Sequence, residues 1–232
     1  MPEITKLFEP IRIGNLSIAN RIVSTAHGTG FSTYEGEFTE RHINYHRERA
    51  KGGAGLIIIE ATYVRPAGIY YPTESGLARD DQIEGLSLLV DEIHRFGINV
   101  FVQLHHAGRE LLPIIAGEPP CGPSVPPDSW EHMHRAPFKY SPKGSAYALS
   151  REQILQLIDD FAQAAHRAQR AGADGIEIHG AHGYIVSHFL SPATNWRTDE
   201  YGGDANGRTL FAREIIKRTR ELCGPDFVIV IL

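Results

Sequence analysis

His179 and His182 bracket Gly180 and Ala181 in the stretch HGAHGY, and Tyr184 closes it. An imidazole can hydrogen-bond a polar group from either ring nitrogen. A phenol, with a pKa of about 10, is almost fully protonated at neutral pH and can serve as a general acid. Read alone, the two histidines fit a structural role as well as a functional one, and Tyr184 could simply pack. The chain from Ser191 to Arg208 is rich in turn formers, SPATNWRTDEYGGDANGR. The meaning of the cluster therefore depends on where it sits in a fold.

The flanking elements answer part of that question. Short apolar runs read as strands at 21–25 (RIVST), 55–61 (GLIIIEA), 98–104 (INVFVQL), 174–179 (DGIEIH) and 227–232 (FVIVIL). The second is almost wholly apolar, as a strand buried on both faces should be. Helical spacing of apolar residues predicts helices over 39–51, 81–96, from Ser150 to Gly172, and about 208–222. Ser150 followed by Gln153 is a capping box. Ile154, Leu157, Ile158, Phe161, Ala165 and Ala168 form the apolar stripe of that third helix. A connection over 105–149, rich in Pro, Gly and Ser, is long enough to suggest a lid or binding loop. His132 and His134 lie in it and read as solvated.

Strands alternating with helices imply a parallel sheet with right-handed crossovers. No Gly-x-Gly-x-x-Gly follows the first strand, which weakens a dinucleotide fold. Polar residues instead end several strands: His27 after the first, Glu60 and Ala61 at the second, Gln103 and His105 at the third, His179 at the fourth. That is how a (β/α)₈ TIM barrel assembles a site, with roughly five-eighths of the barrel represented as one incomplete domain. Glu60 fits either a site contact or a strand-end charge. His105 and His106 read as structural, and Arg109 as an anchor for the connection.

The 232 residues carry a net charge of −5 and no basic run, which gives no reason to expect nucleic acid. The opening MPEITKLFEPIRIG has charges where a signal peptide needs an apolar stretch, and no apolar run has transmembrane length, so the expected location is cytoplasmic. Two cysteines argue against a disulfide scaffold or a cysteine metal site. Twelve histidines invite a metal-hydrolase reading, but no His-x-His ends the first strand. A homo-oligomer is left open.

The stretch from 175 to 203 closely resembles the Old Yellow Enzyme family of FMN-dependent oxidoreductases, with HGAHGY, FLSP, Asn195 and RTDEYGG in order. LFEPIRIGNLSIANRIV, RAKGGAGLIIIEATYVRPAG and VQLHHAGR extend the resemblance over essentially the whole chain. It implies a barrel holding FMN at its C-terminal mouth, with NADH or NADPH as electron donor and a small-molecule substrate. It implies that Thr25, Ala26, Gly28 and Ala61 line the flavin and that Gln103 faces its pyrimidine edge. His179 and His182 would bind the substrate's polar group, Tyr184 would donate a proton, and the turn residues would wall the mouth. His27, in STAHGTG, resembles the amine-demethylating branch related to trimethylamine dehydrogenase and would lie on the substrate side.

The chain departs from the family pattern at Leu232, where an Arg is usual, at GGDANGR, and at Gly28, where several members carry Cys or Thr. The final strands, which the family uses for phosphate binding, would be missing, so a catalytically silent fragment competes with the enzyme. Residues 1–232 alone are then expected to bind FMN weakly and to associate through the unpaired edges of RIVST and FVIVIL. Size-exclusion chromatography at flavin and protein wavelengths checks this; a monodisperse monomer with stoichiometric FMN contradicts it.

Overall fold

The computed structural model describes residues 5–111, 113–125 and 146–232; His132 and His134 lie outside them. An antiparallel hairpin comes first, β1 (Ile11–Ile13) with β2 (Leu16–Ile18). Next come β3 (Val23–Ser24), α1 (Glu40–Lys51), β4 (Leu56–Tyr63), β5 (Ser75–Gly76), α2 (Ile83–His94) and β6 (Asn99–His105). The long connection carries α3 (Pro113–Ala116) and the short parallel pair β7 (Cys121–Gly122) and β8 (Tyr147–Ala148). The chain continues through α4 (Arg151–Arg170), β9 (Gly175–Ile178), α5 (Ile185–Leu190), α6 (Ala205–Cys223) and β10 (Val228–Ile231).

The main sheet runs β10-β9-β6-β4-β3, all parallel, with β5 added beside β4. Its strands succeed one another in chain order without a reversal, so every crossover steps the same way. A doubly wound sheet reverses at a switch point; this one is the arc of a (β/α)₈ barrel.

Parity within the strands divides the core. Val100, Val102 and Leu104 of β6 and Ile176 and Ile178 of β9 pack outward against the helices. Leu56, Ile58, Phe101 and Val228 point inward and meet Ile18 of the hairpin, which plugs the N-terminal end of the arc. The Phe101 ring needs room. A Cβ on Gly175 would lie 2.8 Å from it. The sequence reading missed the hairpin, although Gly14 at the first turn position has φ of 59°, the arrangement of a two-residue II′ turn.

Most expected elements are present with shifted ends. The first strand shrinks from 21–25 to two residues. Helix α4 has the expected Ser150–Gln153 box, and all six stripe residues are buried. Helix α6 starts at Ala205 rather than 208, because the Asp204 side chain accepts the Gly207 N–H at 3.0 Å. Among the described residues no helix is long and apolar enough to cross a membrane.

Helix α1 carries a titration liability. His46 is 3% exposed, and neither ring nitrogen has a hydrogen-bond partner. Burial, above all, pushes its pKa from 6.5 down to about 4. His106 and His179 are pushed to about 3, again chiefly by burial. The unfolded chain therefore binds more protons than the folded one below pH 6.5. Stability contributed by these groups is present above that pH and lost as pH falls toward 4, with each group adding up to about 1.4 kcal/mol per pH unit. Urea unfolding at stepped pH should show this slope, and His46→Leu should remove about one proton's worth of it.

Candidate functional site

The C-terminal ends of the strands enclose a cavity of about 490 Å³. Thr25, Ala26 and Gly28 after β3, Ala61 of β4, Gln103 of β6, His179 after β9, and His182 and Tyr184 all line it. Four separate crossovers thus deliver eight residues singled out from sequence to one concavity. His27 is not among them. It is exposed, and its Nδ1–H donates to the Thr25 carbonyl at 2.6 Å, turning the ring onto its own turn.

The wall also holds His105, read as structural from sequence, and four residues that the sequence reading passed over: Tyr70, Tyr71, Glu74 and Glu177. Two of these were legible from strand parity, since His105 lies two residues past Gln103 and Glu177 two before His179. The other three come from the aperiodic segment between β4 and α2, which carries no such signal.

His179 is 5% exposed. Its Nε2 lies 3.3 Å from His182 Nδ1, while its own Nδ1 is buried without a protein partner. Burial, with help from His105 and His182, keeps the ring neutral at pH 7. His182 has φ of 60°, a left-handed conformation unusual for a residue with a side chain. Tyr184 sits at the N-terminal end of α5, which hangs from the His106 carbonyl through the Ile185 N–H at 3.2 Å. Its phenol is pushed up to about 12, first by burial and then by Tyr70, Glu74 and Glu110. The Tyr184 ring meets His105 at 4.3 Å and His179 at 4.9 Å between centroids.

Residues 6–232 match the NADH:flavin oxidoreductase / NADH oxidase family. The chain belongs to this family. An NADH oxidase of Thermoanaerobacter brockii is 39% identical over 231 residues, covering 99% of this chain and 34% of the relative. An NADPH dehydrogenase of Clostridium acetobutylicum is 37% identical over 217 residues, covering 94% of this chain and 60% of the relative. The solved Old Yellow Enzyme homologue from Zymomonas mobilis superposes with a TM-score of 0.86 at 33% identity, over 97% of this chain and 62% of that one. The chain thus spans less than two thirds of each.

Within this member of the flavin oxidoreductase family, buried carboxylates hold the cavity wall. Glu177 accepts from Gln103 Nε2 at 2.6 Å, and burial pushes its pKa up. Glu60, left undecided from sequence, is fully buried beneath the wall and accepts from Thr29 N–H, Ser75 Oγ and His42 Nε2. The Thr39 N–H donates to His42 Nδ1, so the ring's own proton is on Nε2, facing Glu60.

The turn residues after Leu190 do not wall the mouth, contrary to the expectation from sequence; none of 191–208 touches the cavity. They form a clasp. Asn195 donates to the Phe189 and Tyr201 carbonyls at 2.8 and 2.7 Å. Arg197 donates to the Pro123 and Leu149 carbonyls at 2.9 and 2.7 Å, tying both ends of the long connection to this loop. Arg208 donates to the Leu190 carbonyl at 3.0 Å. A Cβ on Gly202 would stand 2.1 Å from the Arg197 carbonyl oxygen, so the clasp admits only glycine there. Arg109, as expected, anchors the connection, donating to the Ser124 and Thr194 carbonyls.

Gly28 has a local explanation too. A Cβ there would stand 2.9 Å from the Tyr71 hydroxyl. Gly28→Cys should therefore cost about 1–3 kcal/mol as an overpacking change. Tyr71→Phe, which removes the obstructing oxygen, should recover part of that loss. A double-mutant cycle read by chemical denaturation checks the coupling; strictly additive losses would show that the two residues do not compete for space.

Proposed function

We propose that this chain forms the flavin-ring half of an FMN-dependent oxidoreductase, reduced by NADH or NADPH and passing hydride to an activated alkene. The observation carrying this reading is the convergence of four strand ends: two supply a wall of small residues, and the other two bring Gln103 and a neutral histidine whose buried Nδ1 lacks a partner. A flat apolar ring fits such a wall, and the volume lies in the range usual for cofactor sites. Thr25, Ala26, Gly28 and Ala61 would hold the ring by close backbone approach. Gln103, with one N–H on Glu177, keeps its carbonyl oxygen and a second N–H for the pyrimidine edge, which needs both kinds of partner.

Bound FMN supplies hydride chemistry, and the chain's own groups do the rest. His179, neutral and paired with His182, hydrogen-bonds the substrate's carbonyl oxygen and stabilises negative charge growing there. Tyr184, still protonated at pH 7, delivers a proton to carbon. N-methyl amine oxidation rested on His27, which lies outside the cavity, so alkene reduction is the better supported direction. On this reading residues 1–232 are part of one FMN-binding barrel domain.

In the FMN-loaded protein, Tyr184→Phe should slow flavin reoxidation by 2-cyclohexenone on the order of 10²-fold without changing flavin content. Stopped-flow absorbance measures both. Turnover equal to wild type would remove Tyr184 from the mechanism. A folded protein that binds no FMN even at saturating concentrations would remove the flavin reading altogether.

A further inference from the structure

Glu74 has no place in the proposed reaction, yet it is 0% exposed and borders the cavity. Its two oxygens have separate duties. Oε1 accepts from His105 Nδ1 at 2.7 Å, and Oε2 accepts from the Tyr70 backbone N–H at 2.5 Å. His105 is 1% exposed, so its ring has no freedom to reorient into water. Both partners of Glu74 then touch the same third residue. The His105 ring stands edge-to-face with Tyr184 at 4.3 Å and 88°, and the Tyr70 ring does so at 5.6 Å and 71°. One carboxylate thereby holds the His105 ring and the Tyr70 backbone, two of the three aromatic residues that flank Tyr184.

We propose that Glu74 is a positioning residue for Tyr184, acting through His105 on one side and Tyr70 on the other. This deepens the proposed flavin chemistry and rests on it. The bifurcated grip is what the chemistry requires. A phenol must present its O–H to one substrate carbon, and a displacement of about 1 Å can cost on the order of 10²-fold in rate. A flexible or solvated ring would not hold that aim. A carboxylate suits the task because it accepts two N–H groups at once, which a glutamine's single carbonyl oxygen does less well. The other ionisable neighbours facing the trio include His179, Glu110, His106 and Tyr71.

The test is a double-mutant cycle on the FMN-loaded protein, with reduction by NADPH and reoxidation by 2-cyclohexenone followed separately. Glu74→Gln should slow reoxidation by about tenfold or more when Tyr184 is present, because the phenol loses its aim. It should add nothing further in the Tyr184→Phe background. His105→Gln is the second variant, since its amide can still donate to Glu74 while the ring against Tyr184 is gone; it should behave the same way. Equal losses in both backgrounds, or no loss in either, overturn the proposal. A readout without turnover comes from ¹³C-tyrosine spectra of the flavin-free protein. The Tyr184 ring signal should move toward its free-tyrosine position in either variant, and an unmoved signal also overturns the proposal. A wild-type protein whose flavin is bleached by NADPH keeps the functional reading intact whatever the cycle shows. One that binds no FMN even at saturating concentrations overturns both.

Discussion

A carboxylate sealed from water has to be bonded on all sides, and Glu60 is sealed completely. An ionised carboxylate left unpaired in such a place costs several kcal/mol. Burial alone would raise its pKa, but the bonds from His42, Thr29 and Ser75 outweigh that and hold it below the ordinary value. Each bond reaches a different segment: the buried face of α1, the turn after β3, and β5. The Thr29 contact matters most for the cavity. It pins the turn that carries Thr25, Ala26 and Gly28 against the strand that carries Ala61. Ser32 extends the network, bonding Ser75 at 2.8 Å. The placement of the small residues on the cavity wall therefore follows from satisfying one buried charge.

The second constraint is strand parity. Along β6, Phe101, Gln103 and His105 face inward. On β9 and its extension, Gly175, Glu177 and His179 do so, as do Val228 of β10 and Leu232 just past it. The lower members are apolar or absent and close the arc against the hairpin. The upper ones, polar except for Leu232, line the cavity. Strand β4 breaks the alternation. Its pairing with β6 shifts between Ile59 and Thr62, so Leu56 and Ile58 face inward below and Ala61 lines the cavity above. That irregularity leaves Glu60 beneath the wall, where His42 can reach it. A β-bulge beside a site is a common way to re-aim one side chain.

These two constraints also explain what the sequence could reveal. The main parallel strands and the α4 stripe were legible because each is set by a local periodicity. So were Gln103 and His179, which sit at strand ends. The hairpin was overlooked because three-residue strands carry too little pattern, though Gly14-Asn15 marks its turn. The start of α6 was misplaced because the capping Asp204 lies in a run of glycines and looked like loop. Glu60 could not be assigned, since its three partners come from distant segments and only the tertiary structure joins them. Glu74 and Tyr70 were silent for the same reason. The clasp was misjudged differently: its turn residues were recognised, but sequence does not say which side of the barrel rim they secure.

Burial, finally, sets the protonation states on which the proposed chemistry depends. A histidine held at a pKa of about 3 is a hydrogen-bond donor that does not carry a full positive charge at neutral pH. A tyrosine raised to about 12 is an acid that does not ionise before its moment. By the Brønsted argument it is also a reluctant acid, far from the working pH at which proton transfer is most efficient. Such a group gives up its proton readily only to a strongly basic acceptor close at hand. A carbanion-like centre forming as hydride arrives at the far end of an activated double bond is an acceptor of that kind. On the proposed chemistry, the cavity favours accurate placement over intrinsic acidity. The buried polar structure around that phenol, from Glu74 through His105 to His179, fits this proposed role.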